Sequence, residues 1–362
     1  MRTMASNSKE IVETLRAEIE AGKYLPPSPF PSVTRLKQRF GVAHLTAVKV
    51  LDTLKKQGLI VSRHGSGSFV CKRQPRRIGV MVPAPTEGEF YPYICNVVSH
   101  VCQTVGHSVL FADISGGQAQ DVECHIMRQA EALVSERVMG VIFHPVDFCA
   151  SAERINMAVL DVLRAANIPV VMLDCGAGYH SFDCVGVDNV QIGWNLAEHV
   201  VSNGAKRILF VYREMKSGRG SPNAHLRLLG LRNYVMDHPG TVFVGECGIR
   251  SSGRLSLASA LKRLKPDALV CTSDYVAALA IKYLSATGTC APCDILVTGV
   301  NDIGIAALTN PPITTIRQPC AEIAQAAVET LEWRLLNPSA APRRILVSAP
   351  LVVRESTTLG QK

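Results

Sequence analysis

The sequence predicts two folding units of different class: a small α+β unit at the N-terminus and a larger α/β unit with parallel sheets in two lobes. A chain of 362 residues, 47% of them hydrophobic, is too long for one ordinary domain and can bury a large core. Residues 1–77 carry 15 Lys and Arg against 5 Asp and Glu, whereas residues 78–362 carry 23 against 25. The apolar pattern also changes near residue 77, from helical spacing to strands that alternate with helices.

The excess of basic residues lies in the N-terminal unit alone, whose formal net charge is +10. Clustered cations gain affinity for a polyanion, because binding releases the counterions that its phosphates hold. A basic tail that only keeps the chain soluble would have the same composition. The charge distribution therefore indicates a polyanion as one candidate partner of this unit.

The first helix is predicted over residues 7–21, where Ile11 and Leu15 lie on one helical face. The proline-rich run 25–31 cannot be helical. Ser32 then caps a short second helix, which ends near residue 41.

A third helix is expected over residues 44–57, with Val48, Leu51 and Leu54 facing inward. Residues 59–70 follow as two short apolar strands around the run His64-Gly65-Ser66-Gly67, which predicts a β-hairpin. Three helices and a two-stranded hairpin form a winged helix-turn-helix. In that fold the third helix can enter the major groove of DNA, while the hairpin tip meets the backbone or the minor groove.

Over about residues 7–71 the sequence resembles the GntR family of regulators, and the resemblance implies a DNA-binding protein. The matching residues are Pro31-Ser32, Leu36, Phe40-Gly41-Val42, Thr46, Leu51, Leu54, Gly58-Leu59-Ile60 and the run from Gly65 to Val70. The candidate DNA contacts are polar, basic or glycine residues of the second helix, the third helix and the hairpin: Thr34, Arg35, Lys37, His44, Thr46, Lys49, Arg63, His64, Gly65 and Gly67.

The sequence departs from the family at two positions that bear on DNA binding. The chain has Ala43-His44 where the family usually has Ser-Arg, and the loss of a Ser cap costs a helix about 0.5–2 kcal/mol. Thr34 stands where the family has Arg, a donor suited to guanine or phosphate. We therefore expect a homodimer that binds double-stranded DNA at a pseudo-palindromic operator, but not at the family's usual operator.

A polar linker over residues 72–76 separates the first unit, residues 1–71, from the second, residues 77–362. The second unit has near-continuous apolar strands between amphipathic helices, which predicts parallel sheets covered on both faces. The expected strands are Ile78–Val82, Val109–Ala112, Val138–Phe143, Pro169–Leu173, Ile208–Tyr212, Ala268–Cys271 and Ile295–Gly299. The expected helices span residues 118–135, 153–166, 190–202, 226–237, 255–264 and 275–286.

Polar and aromatic residues follow several of these strands at their carboxyl ends, where open parallel sheets bind ligands. Phe90 and Tyr91 are expected in the loop after the first strand, and Asp174, Ser273 with Asp274, and Asn301 each follow a later strand. Aromatic faces with carboxylates and amides suit a sugar or a nucleoside-like ligand, which needs surfaces to stack on and acceptors for its hydroxyls. The alternative is that a given Asp only caps a helix.

Residues 77–358 resemble the sensor domain of the LacI family, which shares the two-lobed fold of periplasmic sugar-binding proteins. The matching runs are residues 78–80, 140–142, 168–174, 185–189, 227–230, 311–318 and 351–356. The resemblance implies that Asp174 and Arg227 hold ligand hydroxyls or carboxylates and that an aromatic near Phe90 stacks on the ligand. Gln318, the last residue of the run 311–318, joins the candidate ligand residues.

This resemblance also implies two lobes, a first of about residues 77–187 with 312–333 and a second of about 188–311 with 334–358. Ser273 stands where many sugar-binding members have Asn, and Asn301 stands where they have Asp. An Asn side chain donates as well as accepts hydrogen bonds, whereas a carboxylate only accepts, so the ligand cannot be transferred from the family. We expect a carbohydrate or a related metabolite that controls DNA affinity, in a repressor.

The 12 cysteines are scattered, and we expect most of them to be reduced. Cys290 and Cys293 form the only C-x-x-C, which supplies at most half a zinc site, and a structural loop is favoured over metal or redox chemistry there. No phosphate loop, nucleophile elbow or complete metal set occurs in the sequence, so no catalytic residue, metal or cofactor is expected.

The polar N-terminus and the lack of a run of about 20 apolar residues predict a cytoplasmic protein without a membrane segment. Two alternatives remain beside an effector-controlled regulator. One is the solute-binding protein of a transporter, which the basic N-terminal unit disfavours. The other is a regulator that has lost its ligand, which the altered positions 273 and 301 leave open.

Overall fold

A computed structural model describes residues 8–20, 23–24, 28–63, 67–70, 76–83, 90–115, 122–147, 149–174, 178–214, 220–249 and 254–358. The chain separates into two compact units, residues 1–76 and 77–362. Of the predicted linker, only Arg76 lies within the described residues. No described helix is both long enough and apolar enough to cross a membrane.

In its described residues, the first unit has three helices and a three-stranded antiparallel sheet in the order β1-β3-β2. Its elements are α1 (Ser8–Glu20), β1 (Pro29–Phe30), α2 (Val33–Phe40), α3 (His44–Lys56), β2 (Ile60–Arg63) and β3 (Gly67–Val70). The sequence did not predict β1. This strand tolerates Pro29 because it is an edge strand, where a residue without an N–H removes no ladder bond.

The core of the first unit is formed by α1, α2, α3 and the sheet. The helices are joined through Leu15, Leu36 and Leu54, each at most 1% exposed. Leu51 and Leu54 face inward as predicted, but Val48 is only half-buried, and Ala47 and Val50 take its place in the core. The prediction for Val48 is wrong because the buried stripe of α3 follows spacings of three and four residues through 47, 50, 51 and 54.

The described part of the second unit contains two six-stranded sheets, one in each lobe. The first has the order β14-β8-β7-β6-β4-β5, from β4 (Arg76–Val82), β5 (His107–Asp113), β6 (Gly140–Phe143), β7 (Val170–Leu173), β8 (Asp183–Val187) and β14 (Arg344–Val347). The second has the order β10-β9-β11-β12-β13-β15, from β9 (Arg207–Arg213), β10 (Val242–Ile249), β11 (Ala268–Cys271), β12 (Leu296–Asn301), β13 (Thr314–Arg317) and β15 (Leu351–Val352).

Helices cover these sheets, and the strand pairs whose directions are described are parallel except β13 with β15. The helices are α4 (Phe90–Thr104), α5 (Val122–Ser135), α6 (Ala152–Ala165), α7 (Asn189–Ser202), α8 (Pro222–Asp237), α9 (Arg254–Leu264), α10 (Asp274–Ala286), α11 (Gly304–Leu308) and α12 (Cys320–Leu336). Phe90 and Tyr91 open α4 and do not lie in a loop, which corrects the prediction. The apolar residues Ile94, Val98 and Val101, at helical spacing on one buried face, account for this helix.

The segments that cross between the lobes differ from the prediction. Residues 314–317 were placed in the first lobe, but β13 pairs with β12 in the sheet of the second. Residues 344–347 were placed in the second lobe, but β14 pairs with β8 in the sheet of the first. β14 adds an edge strand to the first sheet, and β13 lies between β12 and β15 in the second. Such pairing joins residues that are far apart in the chain, so it leaves no local mark in the sequence.

Nine described cysteines are free, in agreement with the expectation of reduced thiols. Cys184, on β8, departs from that expectation because it is disulfide-bonded. The scatter of cysteines along the sequence did not predict this, since a disulfide depends on distance in the folded chain.

Candidate functional site

The DNA-facing candidates lie on α2 and α3, which begin in different ways. Ser32 caps α2 by accepting a hydrogen bond from the backbone N–H of Arg35 at 3.4 Å, and Gly41 ends the helix with a φ of 65°. Ala43 precedes α3 and provides no side-chain cap. α3 therefore begins without the hydrogen bond that a Ser would supply at this position.

Most of the predicted DNA contacts that the structure describes are exposed. On α2 these are Thr34, Arg35 and Lys37; on α3 His44 and Lys49 are exposed and Thr46 is half-buried; in the hairpin Gly67 is exposed. The backbone of Arg63 belongs to β2, but its side chain, and all of His64 and Gly65, lie outside the described residues. The described candidates thus lie on two consecutive helices and at the start of β3.

The basic side chains of the first unit differ in whether they form ion pairs within the protein. Arg35, Lys37 and Lys49 make no ion pair with any described residue. Arg39 instead donates to the carboxylate of Glu18, with Nη1 at 2.7 Å from Oε2, and to the hydroxyl of Tyr24 at 3.1 Å. The hydrogen bond from Arg39 lowers the pKa of Glu18 to about 2. Arg39 therefore ties α2 to α1, while the other three charges remain available to a partner.

Leu45 is a candidate DNA contact that the sequence prediction missed. It is 73% exposed on the first turn of α3, directly after His44. An exposed apolar side chain at the start of a recognition helix can contact the methyl group of thymine. The sequence did carry the signal, because Leu45 falls outside the buried stripe of α3.

Three of the effector candidates, Tyr91, Asp174 and Gln318, line a pocket at the carboxyl ends of the first-lobe strands. The cavity has a volume of about 320 Å³, which includes the open solvent at its mouth. It is lined by Val82, Tyr91, Ile94, His144, Leu173, Asp174, Gln318 and Ile323. Tyr91 meets His144 edge to face, with ring centroids 5.3 Å apart. The pocket thus combines apolar walls with an aromatic surface, a carboxylate and an amide.

Asp174 is the carboxylate of this pocket and has a backbone φ of 48° just beyond β7. A Cβ on Gly186 of the neighbouring strand would come within 2.9 Å of the Asp174 Cα, so glycine there permits the close approach. Asn223 donates from Nδ2 to Asp174 Oδ2 at 2.8 Å, and Asn189 donates to Oδ1 at 3.2 Å. No cation lies within ion-pair distance of Asp174 in the described parts of the chain.

Arg227 does not line the cavity and is linked to Asp174 through the side chain of Asn189. Its guanidinium is buried, and Nε donates to Asn189 Oδ1 at 2.8 Å while Nη1 donates to the carbonyl of Thr272 at 2.6 Å. Burial lowers the pKa of Arg227, against the opposing charges of Asp174 and Asp274. A continuous chain of hydrogen bonds therefore joins Thr272, Arg227, Asn189 and Asp174 across the two lobes.

Close packing of α7 against α8 places the two asparagines beside Asp174. A Cβ on Gly193 would lie 1.8 Å from the carbonyl oxygen of Arg227, and one on Gly230 would lie 1.8 Å from that of Val190. Only glycine fits at such separations. The two glycines therefore let the helices approach until Asn189 and Asn223, at their N-terminal ends, reach the carboxylate of the other lobe.

Asp147 adds a second carboxylate near this site. Burial raises its pKa, the charge of His144 lowers it, and the negative charge of Asp174 raises it further. Burial also raises the pKa of Tyr91, with contributions from Asp147 and Asp174. Carboxylates therefore dominate the electrostatic environment of the pocket.

Three predicted ligand residues of the second lobe, Ser273, Asp274 and Asn301, do not line the cavity, and the side chains of the first two have protein partners. Ser273 caps α10, accepting from the N–H of Val276 at 3.3 Å. Asp274 is fully buried and accepts from Thr315 Oγ1 at 2.5 Å and from the N–H of Ile303 at 2.9 Å. Burial raises the pKa of Asp274 to about 6. Asn301 ends β12 with a φ of 116°, and the side chain of Phe90 lies outside the described residues.

Of the predicted ligand residues, the structure thus brings together Tyr91, Asp174 and Gln318 in the pocket. Arg227 is linked to Asp174 through Asn189. Sequence reasoning missed His144, Asp147, Asn189 and Asn223. The first two follow β6, so the rule that selected Asp174 would also have found them. The asparagines begin helices, where a cap is the commoner role, and no local signal separates the two roles.

A larger cavity of about 720 Å³ with its open mouth lies at the amino ends of β7 and β8, away from this pocket. The charged residues that line it already form ion pairs or hydrogen bonds with other protein groups. Arg334 donates to both oxygens of Asp183 at 2.7 and 2.9 Å and to the carbonyls of Asn337 and Ala340. These contacts fold the chain after α12, so we assign the cavity no ligand.

Comparison with known proteins supports both units. The pattern described as "Bacterial regulatory proteins, gntR family" matches residues 7–70, and the "Periplasmic binding protein-like domain" matches residues 197–357. The arabinose metabolism transcriptional repressor of Geobacillus stearothermophilus is 24% identical over 371 residues, which cover 96% of each protein. The transcriptional repressor PurR of Aliivibrio salmonicida is 27% identical over 320 residues, covering 88% of this chain and 91% of the relative.

A crystal structure of the lac repressor dimer, bound to operator and to an anti-inducer, has a TM-score of 0.66 to this chain at 21% identity. The match covers 80% of this chain and 96% of that one. It shows the shared fold. The predicted fold class, a helix-turn-helix unit followed by a two-lobed α/β unit, is confirmed.

Proposed function

From a gntR-family DNA-binding domain at residues 7–70 and a periplasmic binding protein-like domain at residues 197–357, we propose that this chain is a transcriptional regulator controlled by a small-molecule effector. The observation that carries the proposal is the presence in one chain of two surfaces with complementary roles. One is a helix pair with exposed, unpaired cations, and the other is a pocket at the ends of parallel strands.

The DNA half of the proposal is a homodimer on a two-fold operator. Arg35, Lys37 and Lys49 supply positive charge for phosphates, while His44, Leu45 and Thr46 occupy the first turn of the recognition helix. One such helix reads few base pairs, so two copies give the specificity that a regulator needs. A related fold is described as a dimer bound to operator. Repression is the direction we propose, as in the named relatives.

The effector half is a carbohydrate or a related metabolite rich in hydrogen-bond donors. Asp174 presents a carboxylate that makes no ion pair with any described residue, and beside it, outside the cavity lining, Asn223 Oδ1 is a buried oxygen with no hydrogen-bond partner among the described residues. A buried acceptor without a donor is costly, so a ligand hydroxyl or N–H placed there gains free energy. Tyr91 adds an aromatic surface for the ligand to pack against.

Binding across the lobes gives a route to control. Asp174 belongs to the first lobe, whereas Asn189, Asn223 and Arg227 belong to α7 and α8 of the second. A ligand that replaces or bridges these hydrogen bonds favours one spacing of the lobes over others, and so changes operator affinity. We place this regulator in the cytoplasm, where its DNA is, and assign it no catalytic step.

The DNA half is tested by selecting duplexes from a random library with the purified full chain, then titrating a selected duplex by fluorescence anisotropy at several salt concentrations. We expect one pseudo-palindromic sequence to be enriched and its affinity to fall as salt rises. A chain that enriches no sequence and binds no duplex at low salt contradicts a regulator.

The effector half is tested by thermal-shift screening of sugars, sugar acids and nucleosides on the wild type and on Asp174→Ala. A true effector raises the melting temperature of the wild type in proportion to its concentration and loses this effect in the variant. Operator affinity of the variant without ligand serves as the control for its fold. If stabilising compounds act equally on both proteins, the pocket assignment is wrong.

A further inference from the structure

Cys290 and Cys293 lie together in an exposed turn between α10 and β12, outside both surfaces described above. The turn is closed at both ends by Asp294. Its backbone N–H donates to the carbonyl of Cys290 at 2.8 Å, and its carboxylate Oδ2 accepts from the N–H of Cys290 at 2.7 Å. The two cysteines are therefore held within one turn of chain and both face solvent.

The side chain of Cys293 is the largest cause of a raised pKa of the Cys290 thiol, so the two side chains lie close together. The Cys290 sulfur donates a hydrogen bond to the backbone carbonyl of Ala291 at 3.6 Å. Cysteines three residues apart within one turn can form a disulfide once their Cβ atoms come within about 4.5 Å of each other.

Other cysteines of the described chain lack this combination. Cys95, Cys102, Cys271 and Cys320 are buried, and burial raises the pKa of each thiol. Cys124 is exposed on α5 without a second free cysteine within its own turn of helix. Reactivity follows access to the sulfur and its thiolate form, so the turn is the position that an external reagent reaches first.

We propose that Cys290 and Cys293 form a surface dithiol site that is reversibly oxidised to an intramolecular disulfide by small-molecule disulfides. The thiolate of Cys293 attacks one sulfur of the oxidant, and the other sulfur leaves as a thiolate. The sulfur of Cys290, on losing its proton, attacks Cys293 Sγ and expels the second thiolate. Two protein thiols are oxidised, one small disulfide is reduced to two thiols, and the two released protons end on those thiols.

The test treats the full chain with oxidised glutathione, blocks remaining thiols, and maps the tryptic peptide of residues 283–317, which contains both cysteines. We expect this peptide to lose two hydrogen atoms, to carry no glutathione, and to recover its mass after dithiothreitol. Cys290→Ser and Cys293→Ser should each accumulate a glutathione adduct at the remaining cysteine, because no second thiol is present to expel it.

Cys124→Ser is the matched control, since it removes an exposed cysteine of the other lobe and should leave the reaction of peptide 283–317 unchanged. A wild-type peptide that keeps both thiols free, or that accumulates the glutathione adduct as the single variants do, overturns the proposal. The wild type alone decides the result, so it does not depend on whether the serine variants fold.

Discussion

The proposed DNA-facing surface and the proposed effector pocket are built in opposite ways. The first uses exposed residues of two consecutive helices, and its local structure is set by signals a few residues apart, such as Ser32 and Gly41 around α2. The pocket draws Tyr91, Asp174 and Gln318 from distant segments and holds its carboxylate with asparagines from two further helices. A surface of independent exposed groups should tolerate single substitutions, whereas a buried network should fail as a unit.

Arg227→Ala tests the network and should have the largest effect. It leaves the amide oxygen of Asn189 and the carbonyl of Thr272 without their donor, at a cost of about 1–3 kcal/mol for each buried group. With Asn189 released, Asp174 loses a hydrogen bond that positions it, so effector affinity should fall. Calorimetry with a stabilising compound from the screen measures that loss.

Arg232→Ala provides the matched control, because this arginine lies on the same helix with a half-exposed side chain that pairs with Glu246. Its effector affinity should match the wild type. Operator binding without effector should survive in both variants. If both arginine variants bind effector equally well, the network does not position Asp174 and the contrast between the two regions fails.

The same contrast explains what the sequence could predict. The helices, caps and hairpin of the first unit depend on residues close together in the chain, so the sequence could predict them. In the described part of this unit, Val48 and the edge strand β1 differ from the prediction. Asp174 was found because strand ends meet at one edge of a sheet. Asn189 and Asn223 were not, since their role arises from helix packing at Gly193 and Gly230, which requires knowledge of the helix pair.

Lys37→Ala tests the exposed surface and should have an intermediate effect. If Lys37 contacts a phosphate, its loss weakens binding to all duplexes and reduces the slope of log affinity against log salt by about 1. Lys55→Ala is the control, because Lys55 is already 3.4 Å from the carboxylate of Asp52 on the same helix. Equal salt slopes for wild type and Lys37→Ala would remove Lys37 from the DNA contacts.

The ion pair between Glu18 and Arg39 should make the first unit sensitive to acid. The pKa of Glu18 lies at about 2 in the folded chain against an ordinary 4.5, so the carboxylate stabilises the fold above about pH 4.5. That contribution is lost as the pH falls from 4.5 towards 2. Glu18→Gln should therefore be less stable than the wild type at pH 7, and the difference should shrink at pH 3. Urea unfolding followed by circular dichroism measures this; a constant difference would contradict it.

Ala43→Ser should have the smallest effect and the opposite sign. A serine hydroxyl before α3 can accept a hydrogen bond from the first turn, which Ala43 cannot, and should stabilise the helix by about 0.5–2 kcal/mol. The melting temperature of the first unit should rise, while effector affinity stays unchanged. Ala43→Gly is the control, because it changes the freedom of the backbone at this position without adding a hydroxyl that could cap the helix. A serine variant no more stable than the wild type would show that the helix start is already satisfied.

The claim that one chain couples these two regions is tested most directly by a pair of affinities. Operator affinity is measured by fluorescence anisotropy with and without a saturating compound from the thermal-shift screen, and affinity for that compound is measured with and without operator. We predict that each ligand changes the affinity of the other by the same factor, as thermodynamic linkage requires. Equal operator affinities with and without a compound of proven binding would contradict effector control.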